Sequence, residues 1–382
     1  GLADPDVQRA LQIIRDADVG FANMESNIMD MLRYSGPITG DPGPKEIAAD
    51  VKAMGFDIVS RANNHTTEGG AVGMFETNHW LESEGIAHAG SGRNLEEARA
   101  AQFVETSKGR VGLVSMASIG SPASSGGSAA TYRLGNVGGL PGLNPMRVTM
   151  FQIVTPEELA QLRTMRDAAY AHRTEVTNPV PPIPPNEPQD RLQLSRVGGW
   201  FKAGNTPGGL SFEMNPEDLR QTLRSIRNGK ELSDYMIVGI HSHEDASSLK
   251  LLYFSEVPTD FLVELAHKSI DNGADNPSAW VADFNANRYN NDTSGFPVNP
   301  RIWESVVAMP TFEGERLVAL ELHPISLGFG KPAQVRGRPM MADRDLGRKI
   351  INDIIEASRP WGTTVEWVES RGIGIVRIPD AR

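Results

Sequence analysis

The apolar positions recur with two different periods, and the places where one gives way to the other divide the chain into elements. Val7, Leu11, Ile14 and Ala17 share one helical face over residues 6–18. The period then shortens through Val19-Gly20-Phe21-Ala22, a strand that ends in Asn23-Met24-Glu25. Ile47, Val51 and Met54 mark a second helix, which Gly55 closes at the position that favours a left-handed residue. Phe56, Ile58 and Val59 form the next strand, and it ends abruptly in Arg61-Ala62-Asn63-Asn64-His65. Met74, Thr77 and Leu81 give a helix over 70–84 stopped by Gly85, with His79 placed at its surface. A short strand (86–89) and a helix (95–100) follow. Residues 103–106 then pair with 111–117 across the turn Ser107-Lys108-Gly109. This order predicts an α/β fold with a mixed sheet.

Residues 120–144 are crowded with Gly and Ser and poor in large apolar side chains, which predicts a long surface loop of the kind that often carries function. Thr155-Pro156-Glu157-Glu158 is a capping box opening a helix through Leu159, Leu162, Met165 and Tyr170. Six prolines between 178 and 188 predict a stiff, extended linker. The stretch 120–209 therefore reads as a Gly/Pro-rich insertion on a single core that spans 1–382.

Asn215 and Pro216 cap a helix, after which Tyr235-Met236-Ile237-Val238-Gly239-Ile240 is apolar enough for a strand buried on both faces. It runs into His241-Ser242-His243-Glu244. Two-residue alternation puts His241 and His243 on one face, which suits a shared ion. A helix over 258–272 closes at Gly273, and the core should then return a buried strand. Asn276-Pro277-Ser278-Ala279-Trp280 is too polar and too short to be read as one. A hairpin about Glu313-Gly314, a helix through Leu346, Ile350, Ile351 and Ile354, and strands at 364–368 and 373–378 complete the pattern.

Three strand ends thus present Glu25, the Asn64-His65 pair and the His241-Ser242-His243-Glu244 run, and in open α/β sheets ligands sit at such ends. An Asn-rich turn with a capping histidine has the same local sequence. A formal charge of −11 disfavours nucleic acid as a partner, because neutralising phosphates needs a basic face. Without cysteine, thiolate ligands, thiol nucleophiles and disulfides are excluded, so a metal would be held by His, Asp, Glu or Asn. No apolar run reaches membrane-spanning length. The first residues carry no charged-then-apolar leader pattern, and the absence of cysteine leaves the compartment undetermined between cytoplasmic and extracytoplasmic.

The blocks FANMES, GFDIV with SRANNH, HAGSGRN with EEARA, IHSHE, AHKSIDNGAD, WESVVAM and LHPISLGFG, in that order, resemble the CapA family, named for poly-γ-glutamate capsule synthesis. The resemblance implies the calcineurin-like metallophosphoesterase fold, a four-layer α/β/β/α sandwich with a two-metal site at strand ends. It places Glu25 in an N-x-E position, Asn64 as a metal ligand beside His65 as acid or hydrogen-bond donor, and His241 as a further ligand. His243 and Glu244 occupy the following catalytic pair, Arg61 and Asn63 stand where substrate would bind, and Glu68 replaces the family's usual Asp. The implied activity is a divalent-metal-dependent hydrolase or transferase acting on a phosphoester or a peptide or polyglutamate substrate. A metal-independent peptide epimerase working through a His/carboxylate pair, and a non-catalytic capsule or envelope binding protein, are the alternatives.

Two family elements lack a counterpart. A first strand with a Gly-Asp motif would precede the helix near Asp6, and a G-H-x-P-H strand with a Y-S-L-G-N-F segment would follow Gly273-Ala274-Asp275. A break in the chain path between Asp275 and Asn276 is the resulting expectation.

Overall fold

A computed structural model describes residues 4–36, 39–40, 42–121, 127–171, 187–195, 198–244, 259–281, 300–314, 316–331 and 337–378. Most of the proline-rich stretch 178–188 lies outside these residues. The chain is mixed α/β, with several sheets and eight α-helices among the described residues. In order these are α1 (Pro5–Arg15), β1 (Phe21–Asn23), α2 (Ile47–Met54), β2 (Ile58–Ser60), α3 (Gly70–Ser83), β3 (Ala87–Ala89), α4 (Leu95–Arg99), β4 (Gln102–Thr106) and β5 (Gly109–Ile119). Next come β6 (Pro145–Val154), α5 (Pro156–Ala171), β7 (Arg191–Ser195), β8 (Gly198–Ala203), β9 (Leu210–Met214), α6 (Pro216–Lys230), β10 (Tyr235–Ser242), α7 (Asp260–Asp271) and β11 (Asn276–Val281). The last are β12 (Glu304–Glu313), β13 (Arg316–Ser326), α8 (Arg344–Ser358), β14 (Val365–Val368) and β15 (Ile373–Val376).

Three sheets organise the core. β1, β2 and β3 form a parallel sheet in that order. A larger sheet runs β7-β8-β6-β5-β10-β11, with β9 added on β6 and β4 on β5. The third, β12-β13-β15-β14, is antiparallel and is covered by α8 through Leu322, Ile351 and Val365. The Tyr235 and Phe312 rings meet edge-on at 4.5 Å, joining the β12 end to the root of β10.

Alternation along the strands decides what each sheet face meets. Val59 of β2 turns outward to Ala48 of α2 and Leu81 of α3. Ile58 turns inward and packs with Ala89, Leu113 and Ile237, so the small sheet lies on the large one. On the far face of the large sheet, Val114, Met116, Met236, Val238 and Ile240 meet Ile226 of α6 and Phe261, Leu262 and Leu265 of α7. Phe261 is fully buried there, and truncating such a side chain costs about 3–5 kcal/mol.

Part of the stretch 120–209 lengthens the large sheet: β6 pairs in parallel with β5 at Pro145–Arg147, and β8 and β9 flank β6. The segment after Asp275 corrects the sequence reading. Asp275 donates its N–H to the Met236 carbonyl at 3.0 Å, and residues 276–281, too polar to be read as a strand from sequence, form β11, paired in parallel from Ile237↔Asn276 to Ser242↔Val281. Tertiary pairing overrides weak strand propensity, and Pro277 is tolerated because β11 lies at the sheet's edge in the described residues.

Candidate metal centre

The same alternation aims the histidines. Along β10, Met236, Val238 and Ile240 belong to the helix-covered face, so Ile237, Gly239 and His241 face the small sheet. Gly239 lies opposite the Phe21 ring of the small sheet, where a Cβ would be in ordinary contact at 3.6 Å. His243 continues this face beyond the strand. On the small sheet, β1 and β2 end in register at Asn23↔Ser60, which delivers Glu25 and the Asn63-Asn64-His65 loop to the same place.

Four donor atoms converge. His241 Nε2 lies 2.8 Å from Asn64 Oδ1, 2.9 Å from His243 Nε2 and 3.3 Å from Glu25 Oε1. Ligand atoms of Glu25, His241 and His243 all fall within 4.8 Å of one another. Donors about 2.1 Å from one ion in tetrahedral array would stand about 3.4 Å apart, so the spacing fits a divalent cation. Glu25 Oε1 is buried without a hydrogen-bond partner, as expected of an atom that awaits a ligand.

Burial sets the charge state of this group. It raises the Glu25 carboxyl to about 7, against the opposing pull of His65 and the Asn23 hydrogen bond. It lowers His241 to about 3, helped by His243 and His65, and lowers His243 to about 4 against the attraction of Glu244. Both imidazoles are therefore neutral near pH 7, the form in which they bind metals.

His65 stands at the rim, with Nε2 4.0 Å from Glu25 Oε1 and Nδ1 held by Glu68 Oε1 at 2.8 Å. Glu68, out of family pattern in the sequence, thus orients that ring. Glu244 points away from the donors. It is buried and accepts hydrogen bonds from the hydroxyls of Ser118 (2.5 Å), Ser121 (2.8 Å) and Ser242 (2.7 Å), and from the His243 N–H at 3.2 Å. Arg61 and Asn63 are also fully buried. The Arg61 guanidinium donates to the carbonyls of Met24 (2.8 Å) and Ser26 (2.6 Å) and to Asn27 Oδ1 (3.0 Å), and the Asn63 amide donates to Asn23 Oδ1 and the Met24 carbonyl, both at 3.0 Å. Both residues brace the loop that carries Glu25. The exposed His79 stays outside the cluster.

Residues 3–276 match the family described as bacterial capsule synthesis protein PGA_cap. This chain belongs to that family. Two relatives, each named uncharacterized protein (y4sH and y4uA) and both from Sinorhizobium fredii, are 32% identical across 98% of this chain and 89% of their own length. Their aligned stretch of 437 positions exceeds the 382 residues here, so the relatives carry internal residues with no counterpart in this chain. The family match ends at residue 276, the position after which the expected G-H-x-P-H strand is lacking.

For this capsule-synthesis family chain, sequence reasoning missed Asn23 and the serines around Glu244, and it singled out Glu68 without giving it a role. Asn23 sits two residues before Glu25 and Glu68 three after His65, spacings that place them beside the residues they hold. The serine cluster joins positions more than 120 residues apart, and no local signal announces it.

Proposed function

We propose that this protein is a metal-dependent hydrolase or transferase of the metallophosphoesterase type, acting on a phosphoester or on a peptide or polyglutamate substrate. The observation that carries this reading is the convergence of Glu25, His241 and His243 within 4.8 Å at the ends of β1 and β10. The succession of α2 and α3, small sheet, large sheet, and α6 and α7 supports the four-layer α/β/β/α arrangement that the family resemblance implies.

Glu25, Asn64, His241 and His243 hold the ion in this reading. A divalent cation bound there supplies Lewis acidity and an activated water. His65 moves the proton: Glu68 holds Nδ1 at 2.8 Å, which turns Nε2 toward Glu25 Oε1, 4.0 Å away at the rim of the cluster. Glu244 serves the site from behind, because its four hydrogen bonds turn it away from the donors. That orientation disfavours a metal-free epimerase built on the His243-Glu244 pair.

The test is elemental analysis of protein purified without chelator, together with hydrolysis of a generic phosphodiester and of poly-γ-glutamate. One or two equivalents of a divalent metal and activity abolished by chelator are expected. Activity that survives complete metal removal sinks the proposal.

A further inference from the structure

Glu25 has two carboxylate oxygens, and the structure treats them differently. Oε2 accepts a hydrogen bond from Asn23 Nδ2 at 2.9 Å, whereas Oε1 faces His241 Nε2 with no hydrogen-bond donor. The orientation of the Asn23 amide decides which oxygen is which, and that orientation is set from behind. The Met24 carbonyl can only accept, so the Asn63 amide must present its NH2 group to it at 3.0 Å. The same NH2 reaches Asn23 Oδ1 at 3.0 Å. Asn23 is left with its own NH2 aimed at Glu25. Beneath the pair, Arg61 grips the carbonyls on either side of Glu25, those of Met24 and Ser26, and holds that short loop still.

We infer that Asn23 is a positioning residue, which occupies one oxygen of Glu25 and so reserves the other, correctly turned, for a divalent metal ion shared with His241 and His243. The inference rests on the metal-centre reading above and adds the device that orients its carboxylate. An unconstrained carboxylate could rotate about its last bond and present either oxygen, or both. A carboxylate with one oxygen engaged is a one-oxygen ligand of fixed direction.

Asn23→Asp isolates the effect, since it keeps the size of the side chain and an acceptor for Asn63 while replacing the donor to Glu25 with a negative oxygen. Co2+ is the probe, because its visible absorption reports the number and arrangement of ligands. Wild-type protein should bind Co2+ with a defined spectrum. Asn23→Asp should bind it 10–100-fold more weakly, the usual cost of losing a partner that orients a ligand, with an altered spectrum and an unchanged melting temperature in chelator. Should Asn23→Asp fail to fold, Asn23→Ala removes the donor without adding charge and is expected to give the same loss. In a Glu25→Gln background either substitution should cost nothing more, because Asn23 acts through Glu25. Equal affinity and spectrum in wild type and both Asn23 variants overturns this inference alone, as does additivity with Glu25→Gln. A wild-type protein that binds no Co2+ overturns the metal-centre reading and this inference together.

Discussion

His241 and His243 bring their Nε2 atoms to 2.9 Å of each other from the same face of one strand end. Both rings are held neutral by burial, so each carries a single proton, and the two nitrogens together with Glu25 Oε1 and Asn64 Oδ1 form a cluster rich in lone pairs. Such a cluster is costly without a cation and favourable with one.

His241→Ala should therefore weaken divalent metal binding by more than the 10–100-fold that loss of an outer partner costs, measured by calorimetric titration. Its melting temperature should match wild type in chelator and fall below it only with metal present, because an ion bound by the native state stabilises by mass action. His79→Ala, on the exposed face of α3, should change neither quantity. Equal losses from the two substitutions would assign His241 to packing.

The Glu25 carboxyl predicts a pH signature in metal-free protein. Its folded value of about 7 lies above the ordinary 4.5, so the fold favours the protonated form. That contribution is full below the unfolded value and is lost as pH rises through 7. In chelator, Glu25→Gln should gain on wild type in melting temperature between pH 5 and pH 8, by an amount corresponding to a few kcal/mol at most. His241 and His243 have depressed values, so their contribution is full above 6.5 and lost as pH falls toward 4 and 3. With saturating metal the order at pH 8 should reverse in favour of wild type.

Glu244→Ala should behave as a structural lesion. Three serine hydroxyls and the His243 amide lose their acceptor, at about 1–3 kcal/mol for each buried group left without another partner. Denaturant unfolding in chelator should show the loss, whereas a lesion confined to the metal centre would not. Unchanged stability in chelator would return Glu244 to the catalytic role that the sequence suggested.

Asp218 offers a contrasting site away from the metal centre. Fully buried at the start of α6, it is hydrogen-bonded by Arg147 at 2.6 and 2.7 Å and by Arg99, which also reaches Asn144 and Tyr132. Breaking a buried pair leaves charge uncompensated, so Asp218→Asn should cost about 3–5 kcal/mol in unfolding experiments. Metal affinity should stay within twofold of wild type. A parallel loss of metal binding would show that this network reaches the site.

Local pattern determined much of this protein. The capping box closes as read, with Thr155 N–H donating to Glu158 Oε2 at 2.8 Å and Glu158 N–H to Thr155 Oγ1 at 3.1 Å, because a cap depends only on neighbours in sequence. The 102–119 hairpin and the buried strand at 235–242 form for the same reason: turn residues and apolar runs are local signals. Period-two alternation was enough to place His241 and His243 together. It places Glu244 on the opposite side as well, a consequence the resemblance obscured. Tertiary structure alone decided the rest. Strand β11 exists because β10 offers it an edge, not because Asn276-Pro277-Ser278-Ala279 favours extension. Arg61 and Asn63 are polar side chains on a loop, and only the carbonyls of residues 24 and 26, brought close by the parallel pairing of β1 and β2, turn them inward. Which oxygen of Glu25 faces the histidines likewise depends on hydrogen bonds between segments about 40 residues apart, whose partners no window of sequence contains.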